Sequence, residues 1–169
     1  PKTKKQTAHR TKFGFVSSKM SPLFREIKIG FKNNSLNFGT VCGKVTREAV
    51  FEVDSELSLD YSKIQIAEGK IQPPTLSTVS IEEETNIANF KWDPEVYPKS
   101  KLANENDKVN IVCFNESFPT EIFRQSSIKR KIGRASIDLP KHWNNLDTHF
   151  WIYFTSYDLR FSSDSFYVV

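Results

Sequence analysis

Thr148-His-Phe-Trp-Ile-Tyr-Phe-Thr155 decides the fold of this chain, because this one stretch is apolar on both faces of an extended strand. Side chains in a strand alternate between two faces. One face takes Phe150, Ile152 and Phe154. The other takes Trp151 and Tyr153. The stretch therefore predicts a strand with one face in a sandwich core and a second face that needs a cover or a ligand.

Six further runs share this strand-like character and are separated by turn residues. They cover residues 76–82, 87–92, 108–114, 121–125, 132–139 and 163–169. Seven short runs at regular spacing are typical of an immunoglobulin-like or fibronectin-type β-sandwich. Because no cysteine pair bridges the two sheets, the fibronectin type III arrangement fits better than the antibody type. We predict a seven-stranded, mainly antiparallel sandwich over residues 73–169, with Pro73-Pro74 marking its start.

Charge is distributed unevenly along the chain. Residues 1–32 contain nine of the 24 Lys and Arg residues and one of the 20 acidic residues, Glu26. The remainder carries 15 basic and 19 acidic residues. A basic arm on a mildly acidic body predicts an anionic partner, which is a nucleic acid, a membrane surface or the body itself.

The basic arm also carries an apolar stripe at helical spacing. The stripe consists of Phe13, Val16, Met20, Leu23, Ile27 and Phe31. This spacing predicts an amphipathic helix that buries the stripe against the body or a partner. Pro22 has no amide to bond the Ser18 carbonyl, so we expect either a kink or a restart with Ser21 as the N-cap.

Two more segments complete the predicted organisation. Residues 36–51 fit a second helix loosely, although Gly39 and Gly43 disfavour it. Apolar residues then alternate through Leu57, Leu59 and Tyr61. The chain is therefore predicted as an α+β protein with a basic helical segment (1–55), a strand-rich connector (56–72) and the sandwich (73–169).

Four stretches carry a family resemblance that spans nearly the whole chain. They are Lys12-Phe-Gly-Phe-Val-Ser-Ser18 with Ile27-Lys-Ile-Gly-Phe-Lys32, Leu59-Asp-Tyr-Ser-Lys-Ile-Gln-Ile-Ala-Glu-Gly69, Phe90-Lys-Trp-Asp93, and Phe154-Thr-Ser-Tyr-Asp158 with Ser163-Asp-Ser-Phe-Tyr-Val168. Together they resemble an uncharacterised family of Bacteroidetes proteins, domain of unknown function 6266. The resemblance implies a Gly-rich start, a helical segment, a sandwich-like C-terminal region and a bacterial origin. It implies no catalytic residues.

The ends and the cysteines leave the compartment open. The chain begins at Pro1 without an initiator Met, so we expect an upstream segment, and no signal peptide or membrane span is visible. Cys42 and Cys113 are expected to be free buried thiols, with a disulfide as the alternative.

No set of residues points to catalysis, a metal or a cofactor. His9, His142 and His149 lack partners at the spacing of a relay or a metal motif, and His142 with His149 as a metal pair is the less favoured interpretation. Residues 82–84 are three consecutive acids, typical of a solvated strand edge. We therefore predict that the protein is not an enzyme.

Three groups of residues are candidates for binding. Trp151 and Tyr153 form an aromatic platform for a sugar or a protein if they face outward, but a covering helix is the favoured interpretation. A basic cluster combines Lys129, Arg130, Lys131 and Arg134, which is either a groove for an anionic polymer or a charged edge. The helix stripe Phe13, Val16, Met20, Leu23 and Ile27 offers a surface for self-association.

These observations favour a non-catalytic structural or protein-interaction module. The alternatives are nucleic-acid binding through the arm and the basic cluster, and carbohydrate binding by outward aromatics. The expected partner is a protein, either a second copy or another chain.

Overall fold

The computed structural model describes residues 3–32 and 36–169. The helices are α1 (Lys4–Met20), α2 (Phe24–Gly30) and α3 (Phe38–Glu48). The strands are β1 (Val50–Val53), β2 (Glu56–Leu59), β3 (Thr78–Glu82), β4 (Ile87–Lys91), β5 (Lys108–Asn115), β6 (Ile122–Lys129), β7 (Arg134–Asp138), β8 (Thr148–Thr155) and β9 (Phe166–Val168).

Strands β3 to β9 form two antiparallel sheets that face each other. Their orders are β3-β4-β7 and β6-β5-β8-β9, while β1 and β2 form a separate hairpin. Each of the seven predicted runs overlaps one of these strands, so the α+β class with an antiparallel sandwich is confirmed. The run predicted at 163–169 is shortened to β9, because the Ser165 amide bonds the Ala67 carbonyl instead of a sheet neighbour.

The molecule has three layers and two apolar cores. The inner core lies between the sheets and contains Phe90, Phe150, Ile152 and Phe154. The outer core lies between the helices and the other face of the four-stranded sheet. Strand β8 faces both cores because its side chains alternate, as the opening stretch predicts.

The helical arm breaks where Pro22 predicts. Helix α1 ends at Met20 and α2 begins at Phe24. Ser21 is not an N-cap, so that part of the prediction is wrong. Its backbone is helical (φ −51°, ψ −45°) and its amide bonds the Ser17 carbonyl at 3.1 Å, whereas an N-cap requires an extended backbone.

The second predicted helix is present but shorter than expected. Asn37 caps α3 by accepting a hydrogen bond from the Gly39 amide at 2.7 Å, and Val41, Cys42 and Val45 reach the outer core. Packing of that face outweighs the low helix propensity of glycine. Residues 50–53, predicted partly as helix, instead form β1 and pair with β2.

Beyond β2 the connector, predicted as strand-rich, forms a 3₁₀ turn at Tyr61–Lys63 and then no further strand, apart from an isolated bridge between Ile71 and Ser163. Its backbone is held by side chains near β9: the Ser165 hydroxyl accepts hydrogen bonds from the Ile66 and Ala67 amides at 2.9 and 3.3 Å. The Asp164 carboxylate accepts one from the Gly69 amide at 3.1 Å. Two of the stretches that carry the family resemblance are therefore in direct contact.

Candidate interaction site

Trp151 and Tyr153 are fully buried beneath the helices. Both belong to the outer core, and the Trp151 Nε1 donates a hydrogen bond to the Ile64 carbonyl at 2.9 Å. The less favoured alternative, an outward aromatic platform, is therefore wrong. The favoured alternative, a cover supplied by the N-terminal helices, is confirmed.

The helix stripe is the cover. Val16, Met20, Leu23 and Ile27 are fully buried in the same core, and Phe13 packs against it half-buried. The stripe thus contacts the chain's own sheet, and its four fully buried side chains offer no free surface to a second copy. Ion pairs reinforce this contact, with Arg124 of β6 at 3.4 Å from Glu26 of α2.

The basic cluster expected from the sequence is not a continuous surface. Arg130 is fully buried, Lys131 pairs with Glu105 at 3.4 Å, and Arg134 lies on the opposite sheet from Lys129. The reason is that residues 130–132 form a 3₁₀ turn that carries the chain from one sheet to the other. The hypothesis of a groove built from all four residues is therefore wrong.

Arg130 instead braces one end of the sandwich. Its guanidinium lies 4.0 Å from the centre of the Phe154 ring and donates to the Gln72 carbonyl at 2.7 Å. Its Nε lies 3.8 Å from an Asp107 carboxylate oxygen, and both side chains are fully buried. Burial raises the pKa of Asp107 and lowers the pKa of Arg130, so removal of either partner leaves a costly buried charge.

His142 and His149 make packing and hydrogen-bond contacts, whereas His9 is exposed on α1. His149 stacks on Tyr61 at 4.1 Å between ring centres, and its two ring nitrogens lie 2.9 Å from Glu116 and 2.7 Å from the Tyr167 hydroxyl. His142 lies 2.8 Å from Glu121, which also accepts from the Trp143 Nε1. In the described ranges no three His, Cys, Asp or Glu residues are grouped to hold a metal ion. These carboxylate partners are distant in sequence, so spacing gave no signal for them.

Both cysteines are free and buried, as expected. Burial raises the pKa of the Cys113 thiol to about 12, and it also raises the pKa of Cys42. Neither thiol is therefore activated as a nucleophile.

One end of the sandwich collects the exposed apolar side chains. We call it the loop end, where β4, β6 and β8 finish and β3, β5, β7 and β9 begin. The register brings these termini together, since Lys108 pairs with both Lys129 and Thr155. Seven of the thirteen large apolar residues exposed in the described ranges lie here: Leu76, Tyr97, Leu102, Ile132, Tyr157, Leu159 and Phe161.

The loop of residues 156–161 follows β8 and leads towards β9. Hydrogen bonds between its own polar groups brace it. The Ser156 hydroxyl donates to an Asp158 oxygen at 2.6 Å and accepts from the Phe161 amide at 3.0 Å. The other Asp158 oxygen accepts from the Arg160 Nε at 2.7 Å. The Ser156 and Arg160 hydrogen bonds lower the pKa of Asp158, so the brace is charged at neutral pH.

This brace holds apolar side chains in solvent. Tyr157 is 65% exposed, Leu159 is 49% exposed and Phe161 is 42% exposed. Leu159 has a left-handed backbone (φ 63°), as does Leu76 (φ 51°), which lies at the same end and is 80% exposed. Bulky residues rarely adopt this conformation, and such strain is concentrated at functional sites.

The fold and this site together define a class of protein: an antiparallel β-sandwich with a helical layer on one sheet and a braced set of loops at one end. The chain belongs to the family of unknown function DUF6266, whose family model matches residues 1–169. Comparison with curated proteins finds no match, and neither does comparison with solved structures. Among the described residues, no helix has the length and apolar character needed to cross a membrane.

Proposed function

We propose that this protein is a non-catalytic bacterial interaction module that binds a protein partner through the loop end. The 156–161 loop is the centre of the proposed site. The observation that carries the proposal is that a hydrogen-bonded loop holds Tyr157, Leu159 and Phe161 exposed although the chain has two apolar cores to receive such side chains.

The loop has the properties of a protein-binding surface. Tyrosine and arginine are enriched among the residues that dominate binding energy, and the loop presents Tyr157 beside Arg160. A loop already fixed by its own hydrogen bonds loses little conformational entropy on binding. The Ser156 and Asp158 bonds supply that fixation before any partner arrives.

The strand order supports a fibronectin type III-like architecture. A three-stranded sheet β3-β4-β7 faces a four-stranded sheet β6-β5-β8-β9. Sandwiches of this kind cluster their loops at the two ends, and variable domains of antibodies bind through one such end. Fold alone does not assign function, so the loop carries the proposal.

Site-specific photocrosslinking tests the proposal directly. The photoreactive residue p-benzoylphenylalanine replaces Tyr157 in the native cell, and the matched control replaces Leu146, which is 88% exposed at the opposite end of the sandwich. We expect crosslinks to one protein from position 157 and none to it from position 146. That protein, once purified, should bind the parent and lose about tenfold or more in affinity for Tyr157→Ala.

Besides an absence of crosslinks from position 157, two results would contradict the proposal. One is a crosslinked protein whose affinity is unchanged by Tyr157→Ala. The other is saturable turnover of a substrate by the purified protein that a single side-chain substitution abolishes. The Bacteroidetes origin implied by the family resemblance stays a prediction.

A second candidate function is binding of an anionic polymer through α1. Residues 3–11 are exposed, so the first half of α1 projects from the body with Lys4, Lys5 and Arg10 on it. The segment contains no acid, so its charge is free to meet phosphates.

Nucleic-acid binding of this kind weakens steeply as salt rises. We expect a single-stranded oligonucleotide to bind at low salt and to bind less well to a Lys4→Gln/Lys5→Gln variant. Lys141→Gln, at an exposed position in the loop between β7 and β8, is the control. No binding at low salt, or equal losses in both variants, would remove this candidate.

A further inference from the structure

A shallow cavity opens on the loop end beside Tyr157. Its volume is about 510 Å³, and it is lined by Asn104, Asn106, Lys108, Ser127, Lys129 and Tyr157. The Asn amides and the Ser and Tyr hydroxyls are neutral groups that both donate and accept hydrogen bonds, and the two lysines are the only charged groups in the lining. The cavity therefore presents neutral polar groups and positive charge to a ligand.

The two lysines lie directly opposite each other in the sheet. Lys108 of β5 is the register partner of Lys129 of β6. Their neighbours Val109 and Ile128 point into the inner core, so both lysines point to the other face. Like charges at directly opposed positions destabilise a sheet, and an anion between them would remove that repulsion.

The pair is not neutralised by the chain itself. Among the described residues, neither Lys108 nor Lys129 has a carboxylate within 4.0 Å, the distance of an ion pair. The nearby cations Arg124 and Lys131 each have an acidic partner. Lys32, which follows α2, is a third cation near the pair. Burial is the largest cause that lowers its pKa, and the positive charges of Arg124 and Lys108 lower it further.

We propose that Lys108 and Lys129 form an anion subsite of the loop end, which binds the carboxylates of a short acidic segment in the protein partner. The inference rests on the proposed function and names the chemistry of its partner. Tyr157 belongs both to this cavity and to the 156–161 loop. A single segment of the partner that carries acidic and apolar residues therefore contacts both.

A short acidic peptide fits better than a nucleic acid. Beyond residue 32 the chain carries more acidic than basic residues, so the positive charge at the subsite is local. In the loops beside it, Lys131 and Arg160 are already paired with Glu105 and Asp158. A long polyanion would extend beyond the lysine pair onto these neutralised pairs, whereas two or three carboxylates would stay within the cavity.

The test uses a fluorescein-labelled hexaglutamate peptide, with binding followed by fluorescence anisotropy at low salt. Lys108→Gln/Lys129→Gln should weaken binding about tenfold or more. Lys91→Gln/Lys141→Gln removes the same charge from two exposed positions outside the cavity and should change it less than about twofold. Both lysines of the subsite are at least partly exposed, so near-ultraviolet circular dichroism should show a folded variant.

Three outcomes would overturn the subsite: no binding of hexaglutamate, an equal loss in the control variant, or tighter binding of a hexathymidylate that also depends on Lys108 and Lys129. The last would make the occupant a nucleic acid. Failure here is separable from failure of the proposed function. Crosslinking at position 157 with no hexaglutamate binding removes only the anion subsite, whereas absence of crosslinks removes the interaction site.

Discussion

At the scale of single residues, Gly30 and Gly14 differ in how closely the rest of the chain packs against the helix at that position. A Cβ at Gly30 would overlap the Ile66 carbonyl oxygen and lie 2.8 Å from the Ala67 Cβ. A Cβ at Gly14 would meet nothing within 4 Å. Only the absence of a side chain at Gly30 lets α2 approach the connector this closely.

The two glycines should therefore respond oppositely to alanine. Gly30→Ala forces the helix and the connector apart and should lower the free energy of unfolding by about 1–3 kcal/mol. Gly14→Ala should raise it by about 0.5–1 kcal/mol, because alanine is the better helix former. Urea denaturation of both variants measures the difference, and effects of the same sign would contradict the close packing at Gly30.

His149 makes stability depend on pH. Burial lowers its pKa in the folded state, although hydrogen bonding and the charge of Glu116 oppose that shift. The neutral ring satisfies both contacts, since Nε2–H donates to Glu116 and Nδ1 accepts from the Tyr167 hydroxyl. The unfolded chain thus takes up a proton near pH 6.5, where the folded chain does not.

The free energy of unfolding should consequently fall as pH drops through that value. The contribution of His149 is fully present above about pH 6.5 and is lost below it, with a slope of at most about 1.4 kcal/mol per pH unit. His149→Gln should have a flatter profile between about pH 7 and pH 5. Urea denaturation at several pH values measures this, and parallel profiles would show that the histidine is not held neutral.

At the scale of elements, Ser165 joins the connector to the sheet. Its hydroxyl accepts from two amides, those of Ile66 and Ala67. Ser165→Ala leaves both donors unbonded and should cost about 1–3 kcal/mol. Hydrogen exchange should speed up at these two amides specifically. Ser136→Ala, which removes an exposed hydroxyl from β7, is the control and should leave them unchanged.

Elements with a periodic apolar pattern could be predicted from the sequence, and those set by turn geometry could not. The stripe of α1 and α2 and the alternation in β8 both mark buried faces that the structure confirms. The β1–β2 hairpin was not predicted, because its turn, Asp54-Ser55, adopts left-handed φ values of 49° and 68° without glycine. Asn-Gly or Asp-Gly is the usual signal for such a turn.

The candidate site was less predictable than the fold. Arg130 looks like a surface cation in sequence, but its burial depends on Gln72, Asp107 and Phe154 from three distant segments. Lys108 and Lys129 become a pair only through strand register. The brace of the 156–161 loop is local, so the Ser156, Asp158 and Arg160 spacing was the one available signal.

At the scale of the whole molecule, the helical layer and the sandwich share one core. The predicted boundary lies at Pro73-Pro74, where the predicted connector ends and the predicted sandwich begins. The outer core nevertheless draws Val16 and Leu23 from the helices, Ile66 from the connector and Trp151 from the sheet. A sandwich released from residues 3–72 would expose a large apolar sheet face, and such faces drive association.

The fragment 73–169 should therefore fail as an independent domain. We expect it to aggregate or bind a hydrophobic dye, and to lose the near-ultraviolet circular dichroism of Trp151, whose Nε1 bonds the Ile64 carbonyl in the intact chain. Addition of the separate fragment 3–72 should restore that signal, because the stripe and the connector return the missing contacts. A monomeric 73–169 that unfolds cooperatively with the free energy of the full chain would show that the helical layer adds nothing to the sandwich, and the predicted boundary would then be a true domain boundary.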